Sequence, residues 1–359
     1  MSYPALTEDS SRVMKIQFEI INPVKHSSWN DSILDDSRCT IFHSSNWASV
    51  LSESYNYKPL YFMLTLNGHS TALVATMEIN TALTEKRGVS LPFTDYCDPI
   101  LADGVVFEDI MNGLIEYGDQ AKWKSFEFRT ENPLSAKIPL SSQFYGHTLD
   151  VSGDEKSIVS AFRDSTRRNI RKAEKEGVVV TIAQSQDSVK EFYDLNCVTR
   201  REHGLPCQPY IFFEKIYSHI ISKKLGIVAI ATKDGVNIAG AVFFHFGNRV
   251  IYKYGASNRE YQHLRANNLI MWKAIQWYCG QDYHRFDFGR TEQGNDGLLQ
   301  FKRGWGAREY PINYYKYDFR RRAFVADPIK ATGLHNCIFR MMPLPLLKLA
   351  GSVLYRHAG

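Results

Sequence analysis

Apolar residues fall along this chain at two spacings. In Val178–Ala183, Leu225–Thr232, Val236–Phe246 and Arg249–Ala256 they form short runs rich in β-branched and aromatic side chains, the pattern of buried strands. Asp234-Gly235 and Gly247-Asn248 separate the last three runs. Both pairs tolerate positive φ, so these runs read as hairpins. Elsewhere the spacing is helical. Ile158, Phe162, Ile170 and Ala173 predict a helix over 157–176 that Gly177 stops, and Val189, Phe192 and Tyr193 predict another over 187–202. Helical stretches over 210–222 and 266–279 and strands at 284–288 and 310–317 follow, and from the strand at 178 the order is β-α-α-β-β-β-α-β-α-β, with the apolar run that carries Lys302 as its last helix.

The first half gives nearly the same order. A strand over 15–20 precedes helical stretches at 27–36 and 45–54, and strands over 60–66 and 70–79 join across Asn67-Gly68. A helix over 105–122 leads to Phe126-Glu127-Phe128-Arg129, which mirrors Phe286-Asp287-Phe288-Gly289. Recurrence of hairpin and Phe-acid-Phe strand in one order indicates two copies of one unit. The fold class expected is α/β (α+β), with mixed sheets flanked by helices: one unit over 12–150, a second over 151–325, and an apolar tail over 326–359.

Composition narrows the class. The 359 residues are 44% hydrophobic and 13% aromatic, enough for sizeable cores, and the net charge of +5 suits an anionic partner without marking a dedicated nucleic-acid binder. Six cysteines form no CxxC pair, and no histidine pair has metal-ligand spacing, so reduced thiols in a cytoplasmic protein are expected. The sequence holds no apolar leader at its start and no run of membrane-spanning length, although 341–355 is short and apolar with Pro343, Pro345 and Lys348 inside it. GxSxG, GxxxxGK[ST] and a post-strand GxGxxG are all missing, which gives covalent catalysis and nucleotide hydrolysis no support.

Four stretches carry candidate chemistry. Arg167, Arg168, Arg171 and Lys172 give the helix at 166–175 a broad cationic surface, suited to phosphates or simply solvated beside Glu174 and Glu176. Asp95 and Asp98 sit in a Pro-bounded loop, able to hold an amine or move a proton, or to serve as turn formers. Tyr254 ends a strand before the loop that carries Arg265 into the helix at 266, a geometry that favours anions at helix amides. Asp287 ends the second Phe-acid-Phe strand, and Phe301, Lys302 and Arg303 follow a Gly-rich loop and precede Gly304-Trp305-Gly306.

In order, SLPFTDYCDP at 90–99, RRNIRKAEKEGV at 167–178, ANNLIMWKAIQW at 266–277 and FDFGRTEQGNDGLLQFKRGWGA at 286–307 resemble the FemA/FemB/FemX family. The resemblance covers roughly 40–320 and implies two tandem GNAT-like domains and transfer of an acyl or aminoacyl group. Lys302 matches the family's catalytic-site lysine and Phe301 the aromatic before it, while Asp95 and Asp98 both remain candidates for the acid. It also implies an amine acceptor on a peptidoglycan or exopolysaccharide precursor, and no bound cofactor. The donor is aminoacyl-tRNA or acyl-CoA. The family's coiled-coil arm has no counterpart here, and 262–267 lacks the glycines of an acetyl-CoA loop. A polysaccharide N-acetyltransferase, or a non-catalytic module for RNA or an anionic glycolipid on the same scaffold, are the alternatives. The expected location is cytoplasmic, with contact at the inner membrane face through 341–355 as a further option beside a plain docking helix.

Overall fold

A computed structural model describes residues 16–66, 69–81, 83–326 and 336–357. The expected turn at Asn67-Gly68, the start of the first unit and the start of the tail lie outside them.

The first unit runs through β1 (Ile16–Ile21), α1 (Trp29–Leu34), α2 (Ser45–Tyr55), β2 (Lys58–Pro59), β3 (Tyr61–Leu66), β4 (His69–Val74), β5 (Met77–Ile79), β6 (Arg87–Val89), β7 (Ile100–Leu101), α3 (Phe107–Gln120), β8 (Ser125–Thr130) and β9 (Ser142–Asp150). The second has α4 (Glu155–Ser160), α5 (Asp164–Lys175), β10 (Val179–Ala183), α6 (Gln186–Glu202), α7 (Tyr210–Ile216), β11 (Gly226–Lys233), β12 (Val236–Phe246), β13 (Arg249–Ser257), α8 (Ala266–Tyr278), β14 (Arg285–Asp287), α9 (Asp296–Arg303), β15 (Arg308–Asp318) and β16 (Ala323–Val325). Helices α10 (Asn336–Met341) and α11 (Leu344–Leu354) follow.

A small sheet has the order β1-β3-β4-β7. The large one runs β10-β11-β12-β13-β14-β9-β15-β8-β6-β5-β2, with β16 paired to β15. Its centre is an exchange. β14 lies parallel to β13 of its own half and antiparallel to β9, whereas β8 lies parallel to β6 of its own half and antiparallel to β15. β9 and β15 then pair with each other from Arg308↔Thr148 to Tyr314↔Ser142. The two Phe-acid-Phe strands therefore hold equivalent places, and Phe126, Phe128, Phe286 and Phe288 are all buried.

Two expected elements divide. The helix over 157–176 is α4 and α5, because Arg163 is extended and donates its N–H to the Gly304 carbonyl at 2.9 Å, turning Phe162 between Trp272 and Trp305. The strand over 70–79 is β4 in the small sheet and β5 in the large one. Buried Ala75 and Thr76 make the crossing, and the Thr76 carbonyl accepts from Leu60 N–H at 2.9 Å.

Candidate active site

At its carboxyl end β14 leaves the sheet through Gly289, whose φ of +69° favours a residue without Cβ. A Cβ there would also lie 3.3 Å from an Asp95 carboxylate oxygen, so the loop of the first unit rests directly on this turn. From the other side α9 brings in Lys302, which is 2% exposed. Its Nζ donates to the Gly289 carbonyl at 2.8 Å and the Arg290 carbonyl at 3.1 Å. Burial pulls this ammonium down to about 8, with Asp95 and Asp287 opposing the fall and Arg290 adding to it.

Asp95 has a second cation. Val242 faces Tyr254 and Phe243 faces Tyr252, which makes Lys253 the extra residue of a β-bulge in β13. The bulge sends Lys253 Nζ to within 3.2 Å of Asp95 Oδ2, with the rings of Phe42 and Tyr254 at 5.5 and 5.2 Å. Burial works against the charge on Asp95, but Lys253, Arg290 and Lys302 outweigh it and hold the carboxyl below its usual range. Burial lowers the Lys253 ammonium, with Asp95 opposing.

Around this cluster lie Arg290, Tyr314 and Arg129. Arg290 donates to the Tyr314 hydroxyl at 2.7 Å and stacks 4.4 Å from the centre of Phe144, and Tyr314 donates in turn to the Asp95 carbonyl at 3.0 Å. Arg129, from β8, holds Glu127 at 2.6 Å and reaches the Thr94 carbonyl at 3.3 Å. Loop 90–99, β8, β13, β15 and the 288–291 turn thus meet at one point, with both units contributing.

The other sequence candidates lie in different settings. Asp98 Oδ1 accepts from the Glu131 and Asn132 amides, each at 3.0 Å, and burial raises its carboxyl to about 6. Asp287 is buried and takes hydrogen bonds from Tyr96, Tyr310, Arg285 and the Gly289 amide. Tyr254 is half-buried with its hydroxyl enclosed and unpartnered, among Phe212, Phe213 and Phe244. Phe301 packs on Trp305 at 5.9 Å, and exposed Arg303 binds Glu309 at 2.6 Å. Arg265 is exposed and left-handed, with φ +61°, at the start of α8.

Helix α5 is pinned beneath α9 through Thr166, which donates to the Gly304 carbonyl at 2.9 Å. Arg167 is tied to Asp164 at 2.6 Å. Arg168, Arg171 and Lys172 are exposed, and no ion pair to them occurs among the described residues.

Sequence reasoning missed Lys253, Arg290, Arg129 and Tyr314. Lys253 had a signal, a charge in the apolar strand Val-Ile-Tyr-Lys-Tyr, and Arg290 sits within the loop already singled out. A small cavity touches Thr40, Phe42, Tyr96, Arg249 and Asp287, and an open groove runs past His284, Arg285 and Arg308 at the opposite end of β14; Asp95, Lys253, Arg290 and Lys302 line neither. Among the described residues no group of three or more His, Cys, Asp or Glu side chains is placed to hold a metal ion.

The family model described as "Acetyltransferase (GNAT) domain" matches residues 160–303. The chain is 22% identical over 154 residues to a UDP-N-acetylmuramoylpentapeptide-lysine N(6)-alanyltransferase of Weissella viridescens, covering 42% of this chain and 44% of the relative. It is 30% identical over 79 residues to a lipid II:glycine glycyltransferase of Staphylococcus epidermidis, covering 20% of this chain and 19% of the relative. The chain thus spans less than half the length of these curated relatives. The crystal structure of FemX aligns with a TM-score of 0.62 over 84% of this chain and 97% of that one. Its identity of 12% makes this a likeness of fold. The GNAT match, the paired half-sheets and these relatives make the chain similar to the FemAB-like group of tandem GNAT-fold proteins.

Proposed function

We propose that the protein transfers an acyl or aminoacyl group from an activated ester or thioester to an amine on a cell-envelope glycan or peptide precursor. The observation that carries this is the buried Lys302 ammonium, with two N–H groups taken by the Gly289 and Arg290 carbonyls, beside Asp95 at the junction of the two units. Its third N–H, which meets no acceptor among the described residues, can meet the oxygen that gains charge when the amine attacks the donor carbonyl. The C–N bond forms, the ester or thioester bond breaks, and the amine proton leaves on the departing hydroxyl or thiol. Asp95, held ionised by its cations, suits orientation of the incoming amine better than proton abstraction near neutral pH. The names of the curated relatives, which act on peptidoglycan precursors, support the acceptor class.

Two donors fit different observations. The cations of α5 without carboxylate partners among the described residues suit the phosphates of an aminoacyl-tRNA. The run of β13 beyond its last pairing with β14, Ile251↔Asp287, is the kind of strand splay that suits an acyl-CoA. Against the second, 262–267 holds no glycine, so nothing there gives the close backbone approach that a pyrophosphate needs.

The test is incubation with labelled aminoacyl-tRNA or acyl-CoA plus lipid- or nucleotide-linked precursors, read by mass analysis. Transfer from one donor is expected; transfer from neither, across the acceptors, would overturn the reading. Lys302→Ala should lower turnover by roughly 10²–10³-fold, and near-normal turnover in that variant would remove Lys302 from the mechanism.

A further inference from the structure

Six large apolar side chains stand exposed within one short stretch: Ile338, Met341, Leu346, Leu349, Val353 and Leu354, from 39% to 86% exposed. On α11 the outer stripe is Leu346, Leu349 and Val353, at i, i+3 and i+7, and the opposite stripe, Leu347, Gly351 and Tyr355, is buried. A helix apolar on both sides is normally enclosed on both sides. This one cannot roll to enclose its outer face. A Cβ on Gly351 would sit 1.7 Å from the Cys207 carbonyl oxygen, so the helix backbone lies hard against the second unit. Tyr355 receives a hydrogen bond from Arg200 and packs on Phe93 at 5.8 Å. Tyr57 and Arg87 of the first unit bind the backbone carbonyls of Arg356 and His357 at 3.0 and 3.1 Å.

The tail segment itself carries charge of one sign. Residues 336–357 include Arg340, Lys348 and Arg356 and no acid, and Asp194 on α6 beneath is taken up by Lys348 at 3.2 Å. Arg340 and Arg356 are exposed. Two copies packed patch to patch would bring these cations together without acids between them, whereas an anionic lipid surface complements them. No helix among the described residues is long and apolar enough to cross a membrane.

We propose that α10 and α11 form an interfacial element that docks on an anionic bilayer. Leu346, Leu349 and Val353 enter the headgroup boundary, and Arg340 and Arg356 meet lipid phosphates. Phe93, on which Tyr355 rests, is two residues from Asp95. Docking therefore holds the loop that carries Asp95 behind a single helix from the bilayer, which fits a lipid-anchored acceptor; that consequence rests on the transfer reading above.

The test is flotation of the full chain with phosphatidylcholine vesicles, with and without phosphatidylglycerol, at low and raised salt. Binding should be at least about tenfold stronger with phosphatidylglycerol, and Leu349→Glu or Val353→Glu should weaken it by about tenfold or more. Arg340→Glu with Arg356→Glu should remove most of the salt dependence. Unchanged melting of these surface variants would separate lost docking from lost folding. No binding to phosphatidylglycerol vesicles at low salt, or equal binding by Leu349→Glu, would overturn the proposal. So would a dimer in sedimentation velocity that Leu349→Glu dissolves. Flotation needs neither donor nor acceptor, so its failure would leave the transfer reading standing, and a failure of transfer from soluble donors would leave docking standing.

Discussion

Asp95 and Asp98 share one loop and meet opposite surroundings. Asp95 faces three cations, and Asp98 faces two peptide amides in a place that disfavours charge. Asn retains the acceptor oxygen, so Asp98→Asn should keep both amide bonds and near-normal turnover. Asp98→Ala leaves two amides unpaired and should cost about 1–3 kcal/mol or more in denaturant unfolding. The sign of the pH effect follows. The Asp98 carboxyl is raised from 3.8 to about 6 in the fold, so the folded state binds the proton more tightly than the unfolded chain. Its contribution to stability therefore falls as pH rises through that window, and Asp98→Asn should flatten the slope. For Lys302 the charged form does the work, so turnover should decline as pH rises through about 8; a profile flat through that range would argue for a purely structural lysine. The sequence offered both acids and this lysine through motif resemblance. Which acid meets the cations depended on the bulge at Lys253, and strand patterning does not disclose an extra residue.

Elements were legible where one pattern served one environment. Hairpins β11–β12–β13 follow their turn residues, and α6 follows its apolar spacing. The misread elements are those cut by a distant contact. Arg163 leaves the helix to meet Gly304, and β4 passes into β5 because its two ends belong to different sheets. No local signal records either event. The tail shows the converse, since its apolar run was plain in the sequence while the division into a buried and an exposed stripe needed the fold. Gly351→Ala tests that docking. The methyl has no room against the Cys207 carbonyl, so α11 should loosen at a cost of about 1–3 kcal/mol, with faster proteolytic cleavage near 344–354. Unchanged protection would mean that the contact is readily relieved.

For the whole molecule, the repeated Phe-acid-Phe strands announced two related halves but not how they join. β8 and β9 follow one another in the chain yet are separated in the sheet by β15, and β9 completes the neighbourhood of β14. Each half lends the other a strand. We therefore expect one cooperative thermal transition, with calorimetric and van't Hoff enthalpies in agreement. A shortened chain ending at residue 150 should fail to give a stable fold, because β8 would present an open edge beside buried phenylalanines. Two resolved transitions, or a well-folded fragment, would show that the halves are separable. Pairings between residues so far apart in sequence are not recoverable from periodicity, which reports faces and not neighbours.

That exchange also sets an order of events during synthesis. The first half emerges complete in its own elements but must hold a gap between β8 and β9 until β15 is made, because β15 enters between two strands and does not add at an edge. Its loop-closure entropy is lost late and in one step, so folding should be slow for a chain of this size, with a waiting species that exposes unpaired strand edges. The same late strand carries Tyr310 and Tyr314, which bind Asp287 and the Asp95 carbonyl. The site is therefore assembled only when the last central strand closes the sheet, and a half-made chain has no working centre.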